Sequence, residues 1–258
     1  WNAAERVHGT KKIQYNTEYI DPSLTEKGVA QAKAGNELFK KEPIDFVFVS
    51  PLRRALQTAA LLFENNPGKP KIIVVPSLIE KFGCAGDLSG KYEITRKEFQ
   101  EADFSLIEEL ENPEHWYIDI LKNLESKELA EKLKDQITTE GFPGLAEAVL
   151  KEAKAIGRHP ETTKDLKARV QLTKEYLAKF ITENGSDKQY VIVSHAVYLH
   201  HFTASGKKSG ESFANCEVKE YDLPLQSALC SLLQEILIAS TYSQIENWLV
   251  FMTYILKF

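Results

Sequence analysis

Long apolar runs are missing from this chain: no hydrophobic stretch approaches the roughly 18 residues of a membrane-spanning helix, and no membrane partner is expected. Cysteine is scarce. Cys84, Cys216 and Cys230 are the only three, neither an even set for a disulfide framework nor spaced as a metal cluster. Reduced thiols, a cytoplasmic setting and no metal site are therefore the expectation. A surplus of positive charge is absent too. With 32 Lys and Arg against 37 Asp and Glu, the formal charge of -5 offers no attractive field to a nucleic-acid backbone. The chain opens on Trp1 with no charged segment leading into an apolar one, so no signal peptide is visible.

What is present is a globular balance, 43% hydrophobic and 27% charged residues. The 258 residues suffice for one large domain or one and a half ordinary ones. Apolar positions within 26–41 recur at helical spacing, behind Thr25 as N-cap and ahead of Pro43 as a stop. A strand over 44–49 follows, then a helix with Pro51 at its first position that ends near Asn65-Asn66-Pro67-Gly68. Residues 71–75 read as a second strand. Both strands are continuously apolar, as in a parallel sheet covered on both faces.

From 82 to 163 the sequence turns polar and mostly helical, with helices expected over 105–111, 118–134 and 145–156. This reads as an insertion over the carboxyl edge of the sheet, which either shapes a substrate pocket or only caps the fold. A helix over 164–181, a strand over 189–193, a helix over 197–204 and a last strand over 216–223 complete the pattern. The expected fold is α/β, a three-layer sandwich around a mostly parallel central sheet, spanning residues 1–223. The tail 224–258 shifts to Leu, Ile, Ser and Tyr with few charges. It reads either as an amphipathic C-terminal helix or helix pair, or as a segment foreign to the fold. Asn184-Gly185-Ser186 matches a glycosylation acceptor pattern, but a helix-ending turn explains it equally well.

Two distant segments carry the chemistry. Ser50-Pro51-Leu52-Arg53-Arg54-Ala55-Leu56-Gln57-Thr58 and Val193-Ser194-His195-Ala196 each follow an expected strand and precede an expected helix. Ligands of open α/β sheets collect beyond the carboxyl ends of strands, and the free amides of a helix N-terminus favour an anion. An arginine and a histidine delivered there suggest a phosphate site. Adjacent residues on a helix point about 100° apart, so only one of Arg53 and Arg54 can face the site; Arg54 is preferred and Arg53 assigned to the surface. His195 competes with the reading of a hydrogen-bonded core histidine. His200 and His201, on the following helix, read as packing or surface residues.

Taken together, Ser-Pro-x-x-Arg-Ala-x-Gln-Thr, Leu78-Ile79-Glu80 after a strand, Val-Ser-His before a helix, and Phe213-Ala214-Asn215-Cys216-Glu217 entering the last strand resemble the histidine phosphatase superfamily, and within it the phosphoglycerate mutase-like proteins of fungi. The resemblance covers roughly residues 1–223. It implies a phosphomonoester hydrolase working through a phosphohistidine, without cofactor or metal, on a phosphorylated small molecule. A phosphoglycerate mutase-type transfer and a noncatalytic phosphate-binding protein are the alternatives. It assigns Arg54 and His195 to the phosphoryl oxygens, His195 also to catalysis, and Glu80 to protonating the leaving group, with Asp87 on the same connecting segment as a rival acid. Such a guanidinium can grip two phosphate oxygens at once, and a carboxylic acid can protonate a departing alkoxide.

The nucleophilic histidine of that family lies in an Arg-His-Gly motif at the end of the first strand. Here Arg6-Val7-His8-Gly9 is split by Val7 and preceded by Trp1-Asn2-Ala3-Ala4-Glu5, which is no strand. His8 is therefore read as a decoy in a mobile loop, and the true motif as lying upstream of Trp1 or lost. The sequence as given is expected to be inactive. Substrate identity and oligomeric state are not legible.

Overall fold

The computed structural model describes residues 16–110, 113–117, 161–204, 210–221, 223, 250–251 and 255–257. Helix α1 (Glu26–Phe39) starts at Thr25, whose hydroxyl accepts the Gly28 amide at 3.2 Å. Strand β1 (Phe46–Val49), helix α2 (Arg53–Leu62) and strand β2 (Lys71–Val74) follow in the order expected. The insertion contributes α3 (Tyr92–Glu98) and α4 (Ser105–Glu108), after which come α5 (Thr163–Asn184), β3 (Tyr190–Val193), α6 (Ala196–Thr203) and β4 (Val218–Glu220). The fold is α/β, as the sequence predicts.

Strands β2, β1 and β3 lie side by side and parallel. Their register places Val49 opposite both Val74 and Val193, so the three strands end in one row. Alternate residues then face opposite layers. Val47, Val49, Val74, Val191 and Val193 pack with Leu56, Ala59 and Leu62 of α2 and with Phe39 of α1. Phe48, Ile73, Tyr190 and Ile192 pack on the other side with Leu166, Val170, Leu177 and Ile181 of α5 and with Tyr198, Leu199 and Phe202 of α6. Each such side chain contributes about 1.5–3 kcal/mol on burial.

Several boundaries differ from expectation for physical reasons. Helix α2 begins at Arg53 rather than Pro51, because Leu52 is extended, fully buried and acts as the N-cap, while the Arg53 amide donates to Asp21 Oδ1 at 2.8 Å. The cap comes from another part of the chain. Helix α5 runs on to Asn184 and ends at Gly185 with φ 111°, a conformation that glycine tolerates best, so the Asn-Gly-Ser triplet is that turn. Strand β4 starts at Val218 instead of 216, since Cys216 stands at φ 58° and breaks the extended backbone.

The described part of the insertion is not confined to the carboxyl edge of the sheet. Asp103 exchanges backbone hydrogen bonds with β2, donating to the Ile72 carbonyl at 2.8 Å and accepting from the Val74 amide at 2.9 Å, and Phe104, Ile107 and Trp116 join the α2-side core. The expected helices over 118–134 and 145–156 lie outside the described residues, as do residues 1–15 with His8, residues 224–249 and Cys230. The end of the tail forms strands where helix was one expectation. β5 (Val250–Phe251) pairs parallel with β3, and β6 (Ile255–Lys257) pairs with β3 and β4, giving the order β2-β1-β3-β5-β4-β6.

Candidate functional site

The row in which three parallel strands end is where the candidate residues gather. Beyond β1 the Ser50 amide donates to the Val193 carbonyl at 2.9 Å, so the chain segments leaving β1 and β3 remain side by side for one further residue. Ser50 Oγ thereby meets His195 Nε2 at 2.7 Å, both side chains being buried. Ser50 Oγ also accepts from the Leu52 amide at 3.3 Å. His195 itself is the extended N-cap residue of α6. Burial, followed by the positive charges of Arg54 and Arg169, holds its imidazole well below the usual histidine range. The ring is neutral at physiological pH.

The connection after β2 turns through Pro76–Leu78 and presents Glu80. Its carboxyl receives the amides of Lys81 at 2.8 Å, Val197 at 3.2 Å and Tyr198 at 3.0 Å. Three amide donors favour the anion, as does Arg54, yet burial above all and the nearby charge of Asp87 push the pKa up to about 7. Removal from water outweighs the hydrogen bonds. Glu80 is therefore about half protonated near neutrality and holds its proton below it.

Arg54 projects from the first turn of α2 into the insertion. Its Nη2 donates to Asp87 Oδ1 at 3.1 Å and its Nη1 to the Gly86 carbonyl. Asp87 Oδ2 in turn accepts from the Gly83 and Cys84 amides and from the Cys84 thiol, at 3.1, 3.1 and 3.2 Å. Burial and the Asp87 charge push that thiol up, so it is not a nucleophile at neutral pH. Arg53, on the adjacent helix position, turns away to an ion pair with Glu98 at 2.8 Å. His200 Nδ1 lies 3.0 Å from the Glu211 carbonyl oxygen, and its ring stands edge-on to His201.

One part of the sequence reasoning needs correction. Helix N-terminal amides were expected to attract a bound anion, but both helices meet a carboxylate of the chain itself, α2 that of Asp21 and α6 that of Glu80. The amides of Arg53, Val197 and Tyr198 are spent internally. Sequence reasoning also passed over Asp21, Glu161 and Arg169. For Arg169 a signal existed, since it stands between Leu166, Val170 and Leu177 on the apolar stripe of α5, where a charge needs a buried partner.

Three parallel strands ending in one row, with Arg54, Glu80 and His195 carried on the segments that follow them, define an α/β protein. Residues 8–117 match the histidine phosphatase superfamily (branch 1). It is 40% identical over 76 residues to a 2,3-bisphosphoglycerate-dependent phosphoglycerate mutase of Methylobacterium sp. (strain 4-46), covering 29% of this chain and 36% of that one. It is 46% identical over 55 residues to the enzyme of the same description from Bifidobacterium longum (strain DJO10A), covering 20% and 22%. A phosphoglycerate mutase of Schizosaccharomyces pombe is 35% identical over 83 residues, covering 31% and 38%. The matched segments thus span between about a fifth and two fifths of the length of these relatives. The mycobacterial glucosyl-3-phosphoglycerate phosphatase aligns in structure at 18% identity and a TM-score of 0.39, over 90% of this chain and 81% of that one, too remote a likeness to carry weight.

Proposed function

We propose that the site binds the phosphoryl group of a small phosphomonoester and serves its hydrolysis through a phosphohistidine. The observation that supports this reading is the common row of strand ends, since Arg54, Glu80 and His195 each lie on the segment that leaves one of those three strands. The match of residues 8–117 to the histidine phosphatase superfamily, and the similarity to phosphoglycerate mutases, support phosphatase- or mutase-type phosphotransfer as the reaction class. In the proposal Arg54 and neutral His195 hold phosphoryl oxygens. Glu80, protonated near neutrality, gives its proton to the ester oxygen as the P–O bond breaks, and as a carboxylate then takes one from the water that attacks the phosphohistidine. Hydrolysis is preferred to mutase chemistry because a mutase must shield the intermediate from water and rebind its product in reverse.

The nucleophile is not among these three residues, and the sequence contains no Arg-His-Gly triplet. That observation favours a second reading, a phosphate-binding protein without turnover. Titration with inorganic phosphate, followed by ³¹P NMR, tests what both readings share. Loss of binding on changing Arg54 to Gln or His195 to Ala is expected. A wild-type chain blind to phosphate would end both.

A further inference from the structure

Arg169 lies on α5, its side chain 6% exposed, against a Glu161 side chain that is 2% exposed. The pair is bidentate: Nε donates to Glu161 Oε1 at 2.8 Å and Nη2 to Oε2 at 2.9 Å. An ion pair so deeply buried adds little net stability over an apolar replacement, because desolvation offsets the attraction. What it does have is reach. Arg169 Nη1 also donates to the carbonyls of Ser77 at 2.7 Å and Ile79 at 2.8 Å, and Nη2 to that of Glu80 at 3.3 Å. Glu161 Oε2 accepts the Phe82 amide at 2.9 Å. Four backbone groups of the segment 77–82 are thus gathered on one ion pair.

The partner of Glu80 is tied to the same helix. Tyr198, whose amide donates to the Glu80 carboxyl, lays its ring 4.9 Å from the Arg169 guanidinium carbon and donates its hydroxyl to Thr173 Oγ1 at 2.7 Å, one turn along α5. Thr173 Oγ1 is also 2.7 Å from Ser77 Oγ. Both ends of the contact between Glu80 and α6 are therefore anchored on one face of α5. The charged groups acting on the carboxyl from other elements are Asp87 of the insertion and Arg54 of α2.

We infer that Arg169, locked against Glu161, is the positioning residue of Glu80, fixing where its carboxyl meets the first turn of α6 beside His195. The functional weight of this rests on the acid role proposed for Glu80, while the geometry does not. Lysine is no substitute, since a single ammonium cannot span a carboxylate and three carbonyls at once.

The test uses the whole 258-residue chain, ¹⁵N-labelled, and follows the amides of Val197 and Tyr198 with pH. In the wild type both are expected to report Glu80 titrating near pH 7, and the step should be absent in Glu80→Gln. In Arg169→Lys and Arg169→Met the midpoint is expected to move by about half a pH unit or more, or the step to vanish, because the carboxyl leaves its surroundings. A folded variant that loses thermal stability yet titrates at the wild-type midpoint would overturn the inference, leaving Arg169 merely structural. Failure of both variants to fold would overturn it equally, by making the pair a requirement of folding. Phosphate titration of the wild type is a separate measurement, and its failure would strike the phosphoryl reading without altering this outcome.

Discussion

The amide of Tyr198 donates to Glu80 Oε1 at 3.0 Å, so a carboxyl carried by the connection after β2 caps the helix that starts directly after His195. This one contact joins the ends of β2 and β3 across the intervening β1. It also makes the protonation of Glu80 a property of the fold, since the carboxyl is held away from water by the elements it connects.

Glu80 should make stability depend on pH in a definite direction. Its folded pKa of about 7 lies above the ordinary 4.5, so between those values the folded state binds more protons than the unfolded. Stability contributed by the group is full below about pH 4.5 and is lost as pH rises through about 7, on the order of 3 kcal/mol in total. Urea denaturation at intervals from pH 4.5 to 8 should show this decline in the wild type and a flatter profile in Glu80→Gln. Parallel profiles would mean that Glu80 titrates normally.

Arg54→Gln should weaken inorganic phosphate binding by about 10- to 100-fold, the equivalent of one charge-assisted contact of roughly 1.5–3 kcal/mol. Arg53→Gln, which breaks only the pair with Glu98, should change it less than about twofold. Isothermal titration with phosphate reads both. Equal effects at the two positions would remove Arg54 from its proposed place.

Without an Arg-His-Gly triplet, the sequence as given is expected to show no turnover of a generic aryl phosphate, because losing the nucleophile of a covalent mechanism can cost on the order of a millionfold. Hydrolysis by the unmodified chain that disappears in His8→Ala would refute the decoy reading.

Asn66 is a structural counterpart to these. Fully engaged and only 4% exposed, it accepts the amides of Ile44 and Gly68 at 3.1 and 3.0 Å and donates to the carbonyls of Phe39 and Glu42 at 2.7 and 3.0 Å. Asn66→Ala should destabilise by about 2–4 kcal/mol, since several buried backbone groups lose their partners together. A denaturant midpoint shifted by less than the equivalent of 1 kcal/mol, at unchanged slope, would contradict this estimate.

The local elements were legible because they obey local rules. Continuous apolar runs such as Phe46–Val49 can only be buried on both faces, and Thr25 caps a helix through an atom three residues from its partner. The positions of Arg54, Glu80 and His195 after strands were likewise readable. What sequence could not supply is anything fixed by pairs distant along the chain. The register that sets Val49 opposite both Val74 and Val193 decides that three strand ends share a row. Asp21 reaching Arg53, Glu80 reaching Tyr198, and Arg169 gathering the segment 77–82 convert helix ends and a stray charge into internal contacts that no spacing announces. The raised pKa of Glu80 belongs to that second class. A carboxyl has no such value in the chain, and acquires it only where packing withdraws it from water.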